Sequence, residues 1–305
     1  MEMYYGKAFL SLERECLEMD SLKPDFISLR NDLLFHMVFT RNTEALRGLL
    51  SALLGIPAAE ILRIEVLNPM QYSEVVDTKL TVLDLKLHLN EDRYVLVEMQ
   101  VRRFAFWTNR IVAYASRQIA DQVHGDFNYG TLQPVIQISI MDHSLFPDHK
   151  RFFTTYTLRD KSGYQFSDKL QLYVMDLTQI DQAAAQQQDL VAWAKAFRAK
   201  SWEEINVIED AGVKEAAKTM QIILSTPSER EMIRARMDSE IDWRTNLSAA
   251  REEGLQKGLQ KGREEGEARM LAMLTQLVKK GKLSIRDAAE QAEMTETEFA
   301  ERAFL

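Results

Sequence analysis

Asp84, Glu98 and Gln100 lie in two stretches, TVLDLKLHL and RYVLVEMQV, that are otherwise almost wholly apolar and are separated by three polar residues. Strand side chains alternate faces with a period of two. Leu83, Leu85, Leu87 and Leu89 then share one face of the first strand, and Val82, Asp84, Lys86 and His88 the other. On the second, Val95, Val97, Met99 and Val101 alternate with Tyr94, Leu96, Glu98 and Gln100. If Asn90, Glu91 and Asp92 form a three-residue turn, Asp84 faces Glu98 across the hairpin and Gln100 faces Val82. Opposed side chains have Cβ atoms roughly 4.5–5.5 Å apart, and like charges so placed destabilise a sheet. A hard divalent cation such as Mg²⁺ resolves that conflict. It binds through one or two carboxylates plus waters and phosphate oxygens, and it brings hydrolytic chemistry. The competing reading leaves both acids in solvent, or has Lys86 neutralise them as a surface cluster. The five histidines show no spacing typical of a zinc site.

The hairpin needs neighbours to hold it. LRNDLLFHMVFTRNTEALRGLLSALLGIP carries apolar residues at helical spacing and predicts two helices, the second closing near Gly55 and Pro57. ILRIEVLNP predicts a strand ended by Asn68 and Pro69. After the hairpin the pattern predicts a long helix over about 105–124, stopped by Gly125. PVIQISIMD reads as a buried strand, and RFFTTYTLRD and KLQLYVMDL as two more around a Lys-Ser-Gly turn. The result is a mixed α/β domain. From Asp181 onward no convincing strand appears and the chain reads as helical, with Pro227 an interruption. The expected division is an N-terminal extension over 1–24, a core over 25–180, a helical region over 181–250 and a last segment over 251–305.

That last segment contains a repeat, GLQKGLQKGREEGEAR, with Gly254, Gly258, Gly262 and Gly266 four apart. On a helix they form a slowly drifting stripe. Each glycine costs about 1 kcal/mol relative to alanine. Close approach of another helix, in this chain or in a second copy, is the expected compensation; a polar connector is the alternative. Ser284 with Asp287 and Thr295 with Glu298 read as two capping boxes closing a small helical pair.

The chain carries 46% hydrophobic residues and a net charge of −8. Its one cysteine, Cys16, excludes an intramolecular disulfide and fits a reducing compartment. With no secretory-type N-terminus and no apolar run of about 18 residues, a cytoplasmic protein without a membrane partner is expected. The acidic balance argues mildly against nucleic acid. Around the hairpin it reverses: Arg93, Arg102, Arg103, Arg110 and Arg117 face one acid, Glu98, so five minus one gives +4 locally. A basic ring around an acidic centre suits a phosphodiester; a solvated helix face is the alternative.

Taken in order, NDLLFHMVF, KLTVLDLKL, VLVEMQ, Arg110 followed by Tyr114, FNYGTLQPVIQISI, RFFTTYTL, the glycine repeat and the closing helices resemble the bacterial recombination-promoting nuclease family, the PD-(D/E)XK nuclease-family transposases. The resemblance implies a restriction-endonuclease-like core, followed by an all-helical region, that cleaves DNA with Mg²⁺. It implies that Asp84 takes the motif's first acidic position, Glu98 the second, and Gln100 the place of the usual lysine. Leu83 stands where a proline would be. Asp84 and Glu98 would hold the metal with the Met99 carbonyl. Arg102, Arg103 and Arg110 would neutralise phosphates, with Tyr114 packed behind them. Lys86 supplies the missing ammonium or merely offsets the carboxylates, while Glu44 is expected to be an ordinary surface glutamate. Two other functions stay open: a catalytically silent relative acting through its helical tail, and an RNase. No third acid stands in a context suited to three-carboxylate transposition.

Overall fold

The computed structural model describes residues 24–68, 70–71, 81–82, 84–125 and 128–304. The N-terminal extension with Cys16, and Leu83, lie outside the described residues. The chain divides into two compact units, residues 1–236 and 237–305.

The first unit begins with two helices, α1 (Asp32–Arg41) and α2 (Thr43–Leu54). Each is started by an asparagine whose side chain accepts an N–H from the first turn, Asn31 from Leu34 and Asn42 from Ala45. The second ends at Gly55 with φ +65°, a left-handed cap that glycine adopts without strain. The strands are β1 (Ile64–Leu67), β2 (Met70–Gln71), β3 (Thr81–Val82), β4 (Leu85–Leu89), β5 (Arg93–Gln100), β6 (Val135–Met141), β7 (Phe153–Arg159) and β8 (Gln165–Asp176). Six form one sheet in the order β1-β4-β5-β6-β8-β7, and β2 and β3 pair separately. The β5–β6 and β6–β8 pairs are parallel and the outer pairs antiparallel. Helix α3 (Trp107–Ala120) connects β5 to β6. After β8 come α4 (Gln188–Arg198), α5 (Trp202–Asn206) and α6 (Ala211–Ser225).

Alternation along the strands decides which helices cover which face. Leu85, Leu87, Val95, Val97, Ile136 and Ile138 pack into the main core with α1, α2, α4 and α6. Leu96 and Val135 on the opposite face pack against Ala115 and Tyr114 of α3. One continuous cluster of buried residues runs from Ile27 to Ile233, so the helices after residue 181 share the core of the sheet.

Two glycines let α2 and α6 cross backbone to backbone. A Cβ added to Gly48 would lie 2.8 Å from the Gly212 Cα, and one added to Gly212 would lie 2.9 Å from both the Gly48 Cα and the Trp193 ring. We expect Gly212→Ala to lower stability by about 1–3 kcal/mol through overpacking, in spite of alanine's better helix propensity. Gly258→Ala should do the reverse, because nothing lies within 4 Å of that site. Thermal denaturation of the two variants checks the opposite signs.

Helix α7 (Pro227–Lys279) begins at Pro227, so this proline opens a helix as its first residue, where its missing N–H costs nothing. Its early residues Glu229 and Arg236 pair with Arg41 and Asp32. In the second unit α8 (Ile285–Gln291) and α9 (Glu296–Phe304) close a small core of Leu274, Ala288, Ala289, Ala292 and Phe299. The Thr295–Glu298 capping box forms in both directions. Among the described residues, no helix is long and apolar enough to cross a membrane.

Candidate metal and nucleic-acid site

The hairpin pairs in the expected register, from Leu89 with Arg93 through Leu85 with Val97. Asn90 and Glu91 turn with positive φ, and the Asp92 N–H closes the turn on the Leu89 carbonyl at 3.0 Å. Two details differ from the sequence expectation. The ladder stops at Leu85, so Asp84 is not a strand residue paired with Glu98. Val82 pairs with Met70 in the small sheet and not with Gln100. At this break the Asp84 carboxylate itself accepts the Met99 N–H at 2.6 Å, a side chain serving as the acceptor for a strand N–H.

This bend brings the two acids together. Asp84 is held from the other side by His36 of α1, whose Nδ1–H donates to the Asp84 carbonyl at 2.8 Å. Glu98 is 4% exposed, on the face covered by α3. Its Oε2 lies 3.9 Å from Arg110 Nη2, and its Oε1 is buried without a hydrogen-bond partner. Burial, then repulsion from Asp84, pushes the Glu98 carboxyl up to about 8, against a lowering by Arg110. Asp84 is raised to about 6, chiefly by burial and partly by Asp32; the Met99 N–H, His36 and Arg110 oppose this. Without metal the pair therefore resists giving up its last proton.

Arg110 is the cation directed at this pair. It stands in α3, its guanidinium 5.0 Å from the ring centroids of Trp107 and Tyr114 and 5.9 Å from that of Phe104. Its Nε donates to the Tyr114 hydroxyl at 2.5 Å. Lys86 lies on the same sheet face but is half-buried, and its pKa is lowered by burial and partly restored by Asp121. Arg110 lowers the pKa of both carboxyl groups. The Gln100 amide donates to the Arg102 carbonyl at 2.9 Å, which fixes the root of the following segment. Arg102 is half-buried and Arg103 exposed in that segment. Glu44 is exposed and salt-bridged to Arg47 at 3.7 Å, away from the pair.

Helix α3 is shorter than the pattern implied. It starts at Trp107 because Phe106 adopts φ +63° and cannot continue a right-handed helix, and it ends at Ala120. A left-handed phenylalanine costs about 1–2 kcal/mol, and this one is 78% exposed.

The residues fit a divalent cation. A buried Glu98 and a half-buried Asp84 repel one another, both resist ionisation, and one Glu98 oxygen is orphaned; a cation between them relieves all three. Among the described residues no group of three or more His, Cys, Asp or Glu is arranged to hold a metal. Sequence reasoning missed His36 and Asp32, which act on Asp84 from α1. The available signal was a polar His36 inside the apolar run LLFHMVF. It also missed Gln137 and Ser139, fully buried polar residues on β6 with unpartnered atoms, although they alternate in an apolar strand.

A family model described as PD-(D/E)XK nuclease family transposase matches residues 29–250. The matched span includes Asp84, Glu98 and Arg110 and stops before the glycine repeat. No curated protein and no solved structure matches the chain.

Proposed function

We propose, for a chain that belongs to the PD-(D/E)XK nuclease family transposases, a Mg²⁺-dependent endonuclease that hydrolyses phosphodiester bonds in DNA. One observation carries this reading: half-buried Asp84 and buried Glu98 converge, both raised in pKa, with an unpartnered Glu98 oxygen and Arg110 against the same carboxylate. Asp84 and Glu98, with the Met99 carbonyl, would hold the ion, which when bound supplies a Lewis acid for phosphate and a more acidic water. The rest falls to the chain's own groups. The Met99 N–H and His36 keep Asp84 from swinging into solvent. Three aromatic rings around Arg110 keep its charge beside Glu98, where it would neutralise a phosphate oxygen. Arg102 and Arg103 would meet the flanking phosphates. The family's transposase description makes recombination, or movement of genetic elements, the setting we propose.

A second reading has one observation in its favour. Gln100 replaces the motif's lysine and its amide is bonded to the Arg102 carbonyl, which suits a catalytically silent relative acting as an interaction protein. Supercoiled plasmid incubated with Mg²⁺ or with EDTA separates the two. Nicking only in Mg²⁺ supports the nuclease, and intact plasmid with every divalent ion supports the silent relative. An RNA substrate in the same reaction tests the RNase alternative.

Arg110 lowers both carboxyl pKa values. Arg110→Ala should therefore move the acidic limb of the pH–rate profile upward and reduce cleavage by about 10²-fold. A uniform loss of rate with an unmoved profile would place Arg110 in a purely structural role.

A further inference from the structure

The segment that leaves β5 at Val101 and enters α3 at Trp107 carries more exposed ring surface than its place in the fold uses. Phe106 is 78% exposed and Phe104 is 42% exposed. Phe106 is also held at φ +63°, where glycine would sit without strain. A strained side chain that buries little is not explained by stability. Its neighbours are cationic: Arg102 and Arg103 lie between Val101 and Phe104. Arg110 stacks 5.9 Å from the Phe104 ring on one side and reaches Glu98 at 3.9 Å on the other. Ring, guanidinium and carboxylate thus form a path from Phe104 through Arg110 to Glu98, and Arg102, Arg103 and Phe106 flank Phe104 in the chain.

Intact duplex hides its base faces in the stack, so rings at the rim of a site have nothing flat to meet. Unpaired nucleotides offer a free base face and a phosphate at each step, which is the alternation this path presents. We infer that the 101–106 segment is a stacking platform for unpaired nucleotides, so that the site takes single-stranded or locally melted nucleic acid in preference to intact duplex. The inference rests on the nuclease reading of Asp84 and Glu98 for its chemistry, but not for the binding itself. Stacking tolerates any base, so the selectivity is for strand state and not for sequence.

The test is fluorescence anisotropy of the full chain in EDTA, with a labelled single strand and with the same sequence as a blunt duplex. The single strand should bind more tightly. Phe106→Ala should weaken it by about 5- to 150-fold, the equivalent of about 1–3 kcal/mol for one stacked base, leaving duplex affinity unmoved. Phe106→Trp should retain the preference. Phe106→Gly should lose it while the thermal midpoint stays level or rises, which separates binding from folding. Unchanged single-strand affinity in Phe106→Ala, a preference for duplex, or no binding to either would overturn the inference. Cleavage in Mg²⁺ is scored separately. Cleavage lost in Asp84→Asn, with binding indifferent to Phe106, keeps the nuclease and sinks the platform. Phe106-dependent binding without any metal-dependent cleavage keeps the platform and sinks the nuclease.

Discussion

Asp84→Asn should abolish Mg²⁺-dependent plasmid cleavage, by about 10³-fold or more, while leaving the fold in place. The substitution is close to isosteric, and the asparagine side-chain oxygen can still accept the Met99 N–H that Asp84 now accepts at 2.6 Å. The bend before β4 is therefore kept. What is lost is one of the two negative charges available to a cation, and with it the case for any divalent ion at this point in the sheet. The repulsion that helps raise Glu98 disappears at the same time. The metal-free variant should then be at least as stable as the parent, by thermal denaturation in EDTA at pH 8. Cleavage at the parental rate would end the assignment of this site.

The second large effect concerns stability without metal. Asp84 is raised from 3.8 to about 6 and Glu98 from 4.5 to about 8. Asp84 between about pH 4 and 6, and Glu98 between about pH 4.5 and 8, keep in the folded chain a proton that the unfolded chain has already released. Stability contributed by the two groups is fully present below their unfolded values, and it is lost as the pH rises through 6 and then 8. A tenfold change in proton affinity corresponds to about 1.4 kcal/mol, so the loss across the window amounts to several kcal/mol. In EDTA the melting temperature should fall from pH 5 to pH 8. Mg²⁺, which needs the ionised pair, should restore it at pH 8 and do little at pH 5. His143, whose pKa is lowered by burial and by Arg103, acts in the opposite direction. The double variant Asp84→Asn/Glu98→Gln, in which the fall should disappear and leave only the opposite trend of His143, isolates the pair. A parent protein whose midpoint ignores both pH and Mg²⁺ would contradict the buried-pair account.

The register of the site was readable from residues alone because apolar alternation on two short strands admits one pairing once the turn is placed at Asn90-Glu91-Asp92. The sheet order was not, since parallel partners such as β6 and β8 are set by long-range packing that leaves no mark in local spacing. The strand break at Asp84 was missed for a different reason. A carboxylate can replace a backbone acceptor, and nothing in period-two spacing distinguishes that case. Proximity in sequence could not show which cation sits against Glu98: Lys86 is two residues from Asp84, but the guanidinium 3.9 Å from Glu98 comes from a helix beyond the strand. Close backbone approach through glycine was expected at the four-residue repeat. Within this chain it occurs at Gly48 and Gly212, where neither glycine belongs to a repeat.

That repeat has a consequence of its own. Gly254, Gly258, Gly262 and Gly266 lie inside α7, and nothing stands within 4 Å of where their Cβ atoms would be. Four such residues together forgo roughly 4 kcal/mol of helical preference relative to alanine, with no packing from the described residues of this chain to offset it. Amide protons along this stretch should accordingly exchange with deuterated solvent before those of α2 or α6, whose crossing is locked at Gly48 and Gly212.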